Sequence, residues 1–230
     1  CQINQNLAQN KSLLVAVHNT VQERDQVVRI KVTQTNIQVV TMSKARGMVN
    51  LDTDIICSNR TSSKDCDLYF FDHFNASSTQ FYLLKSVNYS NEVVGSYNNH
   101  PLTTEEVVHI SANRSIKMVG DRTDFIIIEN NKTHRFKLRM NYYPSYCTTT
   151  DQNSGAYIFR PQNNSLNGSS PYTSVSVTGV FKGKVVSQVS VHYEKAIMNL
   201  RFEVNQSSLP GVEMETFIDS IDIEDGVGKE

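Results

Sequence analysis

Alternation of apolar and polar residues, repeated along nearly the whole chain, is the feature that most narrows its possible folds. In "DQVVRIKVT" the residues Val28, Ile30 and Val32 point one way and Val27, Arg29 and Lys31 the other. A period of two lines one face of a strand, and a helix cannot gather such a set on a single side. "SLLVAVHN" reads as a buried strand, "NIQVVTM" as another, and "DLYFFDHF" with "QFYLLKSV" as a strand pair around the turn-rich "NASST". Downstream, "EEVVHIS", "SIKMVG", "DFIIIEN" and "HRFKLRMNYY" continue the pattern, with "VGDRTD" and "ENNKTH" as hairpin connections. "TSVSVTGVF", "KVVSQVSVHYE" and "AIMNLRFEV" form a meander, its first turn at "FKGK". The short "TTEEVV" could open a helix, but its valines favour a strand. The expected class is all-β and sandwich-like.

The polar stretch "NYSNEVVGSYNNHP", with its glycine and proline, suggests a boundary, giving domains over residues 1–90 and 91–230. The chain starts at Cys1 without an initiator methionine and stops abruptly at "GVGKE", which leads to the expectation of a processed piece of a longer precursor. No apolar run is long enough to span a membrane, and no signal peptide is expected in these residues. A net charge of −1 over 230 residues leaves no basic footprint for nucleic acid.

Nine asparagines fit the glycosylation pattern: Asn10, Asn59, Asn75, Asn88, Asn113, Asn131, Asn163, Asn167 and Asn205. With 22 Asn, 24 Ser and 17 Thr, chance would supply roughly four. The excess points to the secretory pathway and a glycan coat, and each used site must lie at the surface. Four cysteines fit an oxidising compartment. Cys57 and Cys66 flank a polar loop and are expected to form a local disulfide. Cys1 and Cys147 either pair with each other or have partners elsewhere. No Cys-x-x-Cys spacing or histidine pair suggests a metal.

Catalytic patterns are sparse. Glycoside hydrolysis needs two carboxylates at a set distance. Asp52 and Asp54 are weak candidates, and adjacent Glu105 and Glu106 would face opposite ways in a strand. The acids of Asp219 to Gly226 do not follow a calcium-loop spacing and read as a solvated segment. The histidines His18, His73, His100, His109, His134 and His192 are scattered. There is no nucleophile elbow and no phosphate-cradling glycine loop.

The run "SGAYIFRP", Ser154 to Pro161, resembles a motif in the C-terminal half of class II α-mannosidases, glycoside hydrolase family 38, closest to the lysosomal type. "RFKLRMNYYPSY" before it is similar to the family's strand leading into the motif. "KVVSQVSVHYE" and the segment ending in "DSIDIEDGVGKE" follow the family's later order, and the first residues look like its first β domain. Asn50 to His100 departs most.

The resemblance implies a small β-sandwich followed by part of a large galactose-mutarotase-like β super-sandwich. It implies a retaining, zinc-dependent exo-α-mannosidase as the whole protein, acting on terminal α-mannose of N-glycans in a lysosome, vacuole or secreted fluid, and assembled as a homo-oligomer. The zinc ligands and aspartate nucleophile would lie on another segment of the precursor, since no His-x-Asp, no His-His-Asp and no Trp occurs here. This chain would bind no zinc itself and would partner the catalytic segment. Tyr157 would reach the bound mannose, its ring on a sugar face and its hydroxyl on a sugar hydroxyl. Arg160 would be a structural contact. A free-standing lectin-like sandwich and a secreted adhesion glycoprotein remain the alternatives.

Overall fold

The structure, a computed structural model, describes residues 12–20, 22–43, 47–58, 65–88, 107–111, 114–119, 124–138, 141–142, 170–171, 174–204 and 212–220. Among them there are strands and turns and no helix. In chain order the strands are β1 (Ser12–Asn19), β2 (Arg24–Val32), β3 (Ile37–Ser43), β4 (Gly47–Asn50), β5 (Thr53–Ser58), β6 (Asp65–Phe74), β7 (Ser78–Ser86), β8 (Val107–Ser111), β9 (Arg114–Val119), β10 (Asp124–Glu129), β11 (Lys132–Lys137), β12 (Asn141–Tyr142), β13 (Ser170–Pro171), β14 (Ser174–Lys182), β15 (Val186–Tyr193), β16 (Ala196–Glu203) and β17 (Val212–Ile218). The all-β class expected from the alternation is what the chain adopts.

The chain divides into two compact units. One comprises Cys1–Asn98, Val180–Gln188 and Arg201–Glu213; the other comprises Asn99–Gly179, Val189–Leu200 and Met214–Glu230. The unit holding the first ninety-odd residues thus also takes in two much later segments.

Within that first unit, a four-stranded sheet in the order β1-β7-β3-β4 faces a three-stranded sheet in the order β2-β6-β5. Their facing side chains form one core. Ile30 and Val32 of β2, Ile55 of β5, and Leu68, Phe70 and Phe74 of β6 meet Ile37 and Val39 of β3 and Tyr82 and Leu84 of β7. Leu13, Val15 and Val17 of β1 pack against its margin. The alternation read in β2 is realised: Val28, Ile30 and Val32 turn to this core. Phe70 lies 4.7 Å from Tyr82, centroid to centroid, in a tilted pair. Burial pushes the Tyr82 hydroxyl up in pKa, and it reaches Asp72 Oδ2 at 3.0 Å and Gln80 Oε1 at 2.5 Å, so the core keeps its polar atom satisfied. Cys57 and Cys66 stand opposite each other on β5 and β6 and form the expected disulfide.

Two readings of this region need correcting. "DLYFFDHF" and "QFYLLKSV" are consecutive strands but not a hydrogen-bonded pair: β6 belongs to the three-stranded sheet and β7 to the four-stranded one. The chain crosses between layers at Asn75–Ser77. There Asn75 O accepts bonds from Asn19 Nδ2 at 3.0 Å and Ser78 Oγ at 2.7 Å, and Ser77 takes a φ of 51°. Nor is "SLLVAVHN" buried on both faces, because β1 lies at a sheet edge with Leu14 and Ala16 turned outward and exposed.

In the second unit β11-β10-β9-β8 forms an antiparallel sheet. Its tightest connection is the "ENNKTH" hairpin, where Asn130 (φ 48°) and Asn131 (φ 63°) adopt the left-handed pair a two-residue turn requires. Phe125 stacks on Phe136 at 5.5 Å, and Arg114 is bound to Glu129 across β9 and β10. The later strands follow the expected meander, β14-β15-β16-β17.

Candidate functional site

The outer face of the β2-β6-β5 sheet gathers most of the first unit's buried charge. Alternation turns Val27, Arg29 and Lys31 of β2 outward, beside Phe71, Tyr69 and Asp67 of β6 and Asp54 and Ile56 of β5. Phe181, Val185 and Val186, from the later segments of the same unit, pack on Ile56 and Tyr69. A face carrying five ionisable groups is therefore partly covered, and each charge taken out of water needs a partner.

Asp54 finds its partners in the backbone. It is 1% exposed. Its Oδ1 accepts the N–H of Lys184 at 3.0 Å, and its Oδ2 accepts those of Val185 and Val186 at 2.6 and 2.8 Å. Three amides converging on one carboxylate form an anion nest within a tight turn. Gly183 precedes them because a Cβ there would collide with the Asp54 carboxylate and lie 2.5 Å from Val186 O. The "FKGK" turn is thus shaped around a carboxylate 130 residues earlier in sequence.

Beside it, Asp67 Oδ2 accepts bonds from Arg29 Nη2 at 2.8 Å and Lys31 Nζ at 3.1 Å. Burial alone would raise the Asp67 carboxyl, but the hydrogen bonds and charges of Arg29 and Lys31 outweigh it and hold the group below its ordinary value. Glu213 Oε1 bridges Arg29 Nη1 at 3.1 Å and Arg201 Nη1 at 3.0 Å. Arg201 Nε also donates to Gln188 Oε1 at 2.7 Å. Both guanidinium carbons stand 5.9 Å from the Tyr69 ring centroid, within cation–π range. Tyr69 is 1% exposed, and burial pushes its hydroxyl well up.

These groups suit recognition of one segment by another rather than bond cleavage. An acid–base pair for glycoside hydrolysis needs one carboxyl that stays protonated near the working pH. Asp67 is held as the anion, and both oxygens of Asp54 are occupied by amides. Three cations against two acidic side chains, with aromatic backing, make a lock that fixes the later segments on the sheet. Among the described residues, no three of His, Cys, Asp and Glu gather as a metal site. Near the end of the β2–β6 ladder, where Asp25 stands opposite it, His73 makes a smaller cluster. Its Nδ1 meets Asp25 Oδ1 and its Nε2 meets Glu23 Oε1, each at 2.9 Å, and the Asp25 bond, with Glu23 adding to it, raises its pKa.

Tyr157 and Arg160, the residues the resemblance singles out, lie outside the described residues, as do Cys1, Cys147, Glu105 and Glu106. So do Asn10, Asn59, Asn113, Asn163, Asn167 and Asn205. Asn75, Asn88 and Asn131 are described, and all three are exposed. Asp52 is exposed and pairs with Lys184 at 3.3 Å. His18 bonds Thr79 Oγ1 at 2.8 Å. Sequence reasoning had placed Arg29 and Lys31 on a polar face and weighed Asp54 only as an acid. It missed Asp67, Arg201 and Glu213, whose one local signal is charge on the outward positions of otherwise apolar strands.

No protein-family model matches the chain, and no curated protein matches it.

Proposed function

We propose that this chain is a non-catalytic, β-rich segment of a zinc-dependent retaining exo-α-mannosidase. It supports the catalytic segment of the same precursor and lends Tyr157 to the mannose site. The observation that carries the reading is the run Ser154–Pro161, with similar flanks on both sides. The all-β sandwich, the Cys57–Cys66 disulfide and the exposed sites at Asn75, Asn88 and Asn131 agree with a glycoprotein of the secretory route. That route would lead to a lysosome, a vacuole or the outside of the cell.

The zinc of such an enzyme would polarise and orient the bound sugar, and this chain's share would be to position it. The Tyr157 ring covers an apolar sugar face, and its hydroxyl bonds a sugar hydroxyl. The test begins with native mass spectrometry and zinc analysis of the chain as purified from its source. Co-migration with a larger polypeptide carrying about one zinc, consistent with a single three- or four-ligand site, is expected. Tyr157→Phe in that assembly should then lower kcat/KM on an α-mannoside about tenfold, the equivalent of one lost hydrogen bond. A chain that runs alone without zinc, yet binds mannose-bearing glycans, would replace this reading with a lectin-like one.

A further inference from the structure

We propose that Met42 and Met48 form an oxidant-accepting site, a pair of thioethers that a peroxide converts reversibly to sulfoxides while the fold stays intact. The two stand directly opposite each other on β3 and β4, which puts their Cβ atoms about 5 Å apart on one side of the sheet. Met42 is 75% exposed and Met48 64%. One rung further along the ladder Ser43 pairs with Gly47, whose φ is 70°. The space there is open, since a Cβ on Gly47 would meet no atom within 4 Å. Among the described residues β4 is an edge strand with β3 as its one neighbour. A small oxidant therefore reaches both sulfurs from water.

Thioether oxidation follows access, because the sulfur lone pair has to meet an oxygen of the oxidant. With hydrogen peroxide the sulfur attacks one oxygen, and the S–O bond forms as the O–O bond breaks. The departing hydroxide takes the proton from the transferred oxygen and leaves as water. Sulfur gives up two electrons and the peroxide is reduced. A dithiol, acting through a methionine sulfoxide reductase, reverses the change: the thioether returns, the dithiol becomes a disulfide and the oxygen leaves as water. Position decides what the product does to the fold. Met42 and Met48 face water, so the new S–O dipoles are hydrated and no core contact is lost. Met198 of β16 is the contrary case. It is 4% exposed, out of the oxidant's reach, and a sulfoxide there would be a buried polar group. Met214 of β17, at 55%, lies between these cases. Cys57 and Cys66 are already joined as a disulfide and do not compete for the oxidant. The β3–β4 edge is thus where two oxidising equivalents are taken up side by side without opening a core.

This inference does not depend on the mannosidase reading, and its test is separate. The full 230-residue chain would be treated with hydrogen peroxide, quenched at intervals and mapped by peptide mass spectrometry. Met42 and Met48 should each gain one oxygen at least about tenfold faster than Met198, a difference that urea unfolding abolishes. The chain oxidised at both positions should keep its circular dichroism and melt within about 2 °C of the untreated protein. The two epimer-specific methionine sulfoxide reductases, supplied with dithiothreitol, should restore both thioethers. Met42→Leu with Met48→Leu, a swap of similar volume on exposed positions, should take up two oxygens fewer. The mapping of the unaltered chain stands whether or not that variant folds. The proposal is overturned if Met42 or Met48 reacts within about threefold of Met198 in the folded chain. It is equally overturned if oxidation of the pair unfolds the protein, or if the reductases leave both sulfoxides in place.

Discussion

Removing the Asp54 side chain gives the sharpest test of how the first unit holds its later segments. In Asp54→Ala the N–H groups of Val185 and Val186 lose their acceptor where both residues are buried. A buried unsatisfied donor costs about 1–3 kcal/mol, so two cost about 2–6 kcal/mol. Lys184 is exposed, and its amide can turn to water at little cost. Asp54→Asn should be milder. The amide can orient its oxygen toward Val185 and Val186 and its NH2 toward Lys184, losing the charge and one bond, about 1–2 kcal/mol. For a chain of this length each kcal/mol moves Tm by about 2–4 °C, so Asp54→Ala should melt roughly 10 °C lower and Asp54→Asn about 4 °C lower.

Gly183→Ala supplies the coupling measurement. The new methyl would meet the Asp54 carboxylate and Val186 O, and overpacking of this kind costs about 1–3 kcal/mol. With Asp54 already truncated, one of the two obstacles is gone, so the double variant should be more stable than the sum of the singles by about 1 kcal/mol. Urea unfolding of the four proteins, read by tyrosine fluorescence and circular dichroism, closes the cycle. If Asp54→Ala stays within about 1 kcal/mol of the parent, or the cycle is additive to within about 0.5 kcal/mol, the turn is not built around the carboxylate.

Two further perturbations probe the charges. His73 is held at a raised pKa by Asp25 and Glu23. Its contribution is complete below the unfolded value and disappears as pH rises through the folded one, so His73→Gln should lower Tm at pH 5.5 and leave it unchanged at pH 9; an equal effect at both would sink the assignment. Asp67 is held low, so its contribution is complete above the unfolded carboxyl value and is lost as pH falls through the folded one. Arg29→Met should move the midpoint of acid unfolding to higher pH, and an unmoved midpoint would show that Lys31 alone sustains the depression.

Strands were legible in the sequence because alternation is a local property. Val28, Ile30 and Val32 declare their shared face within five residues, and Asn130–Asn131 declare their hairpin within two. Sheet membership was not legible. "NASST" has the length and residues of a hairpin loop, and whether it returns beside its own strand or crosses to the other layer depends on Asn19, 56 residues earlier, which captures Asn75 O. The exposure of Leu14 was hidden for a related reason: an apolar run shows that a strand can be buried, not that something covers it. The lock's one local signal, charge on the outward positions of apolar strands, named none of its pairings. Asp54 and the turn at Gly183 are ordinary residues until the fold brings them together, and Arg29 and Glu213 lie 184 positions apart.

The contrast between apolar and directional contacts explains how a unit can assemble from segments so far apart. Apolar burial draws Phe181, Val185 and Val186 onto Ile56 and Tyr69, but dispersion and hydration are tolerant of small slips. A one-residue shift of the 183–186 turn would carry the amides of Val185 and Val186 off Asp54 and put a side chain where only Gly183 fits. It would thus convert a satisfied buried carboxylate into an unpaired one, a loss of about 3–5 kcal/mol. Glu213 imposes the same condition on the last segment, because its Oε1 must reach Arg29 and Arg201 together. The charges on this face thus add less to net stability than to the choice of one register over its neighbours. That is what a sheet needs when the residues that cover it arrive more than a hundred positions after it in sequence.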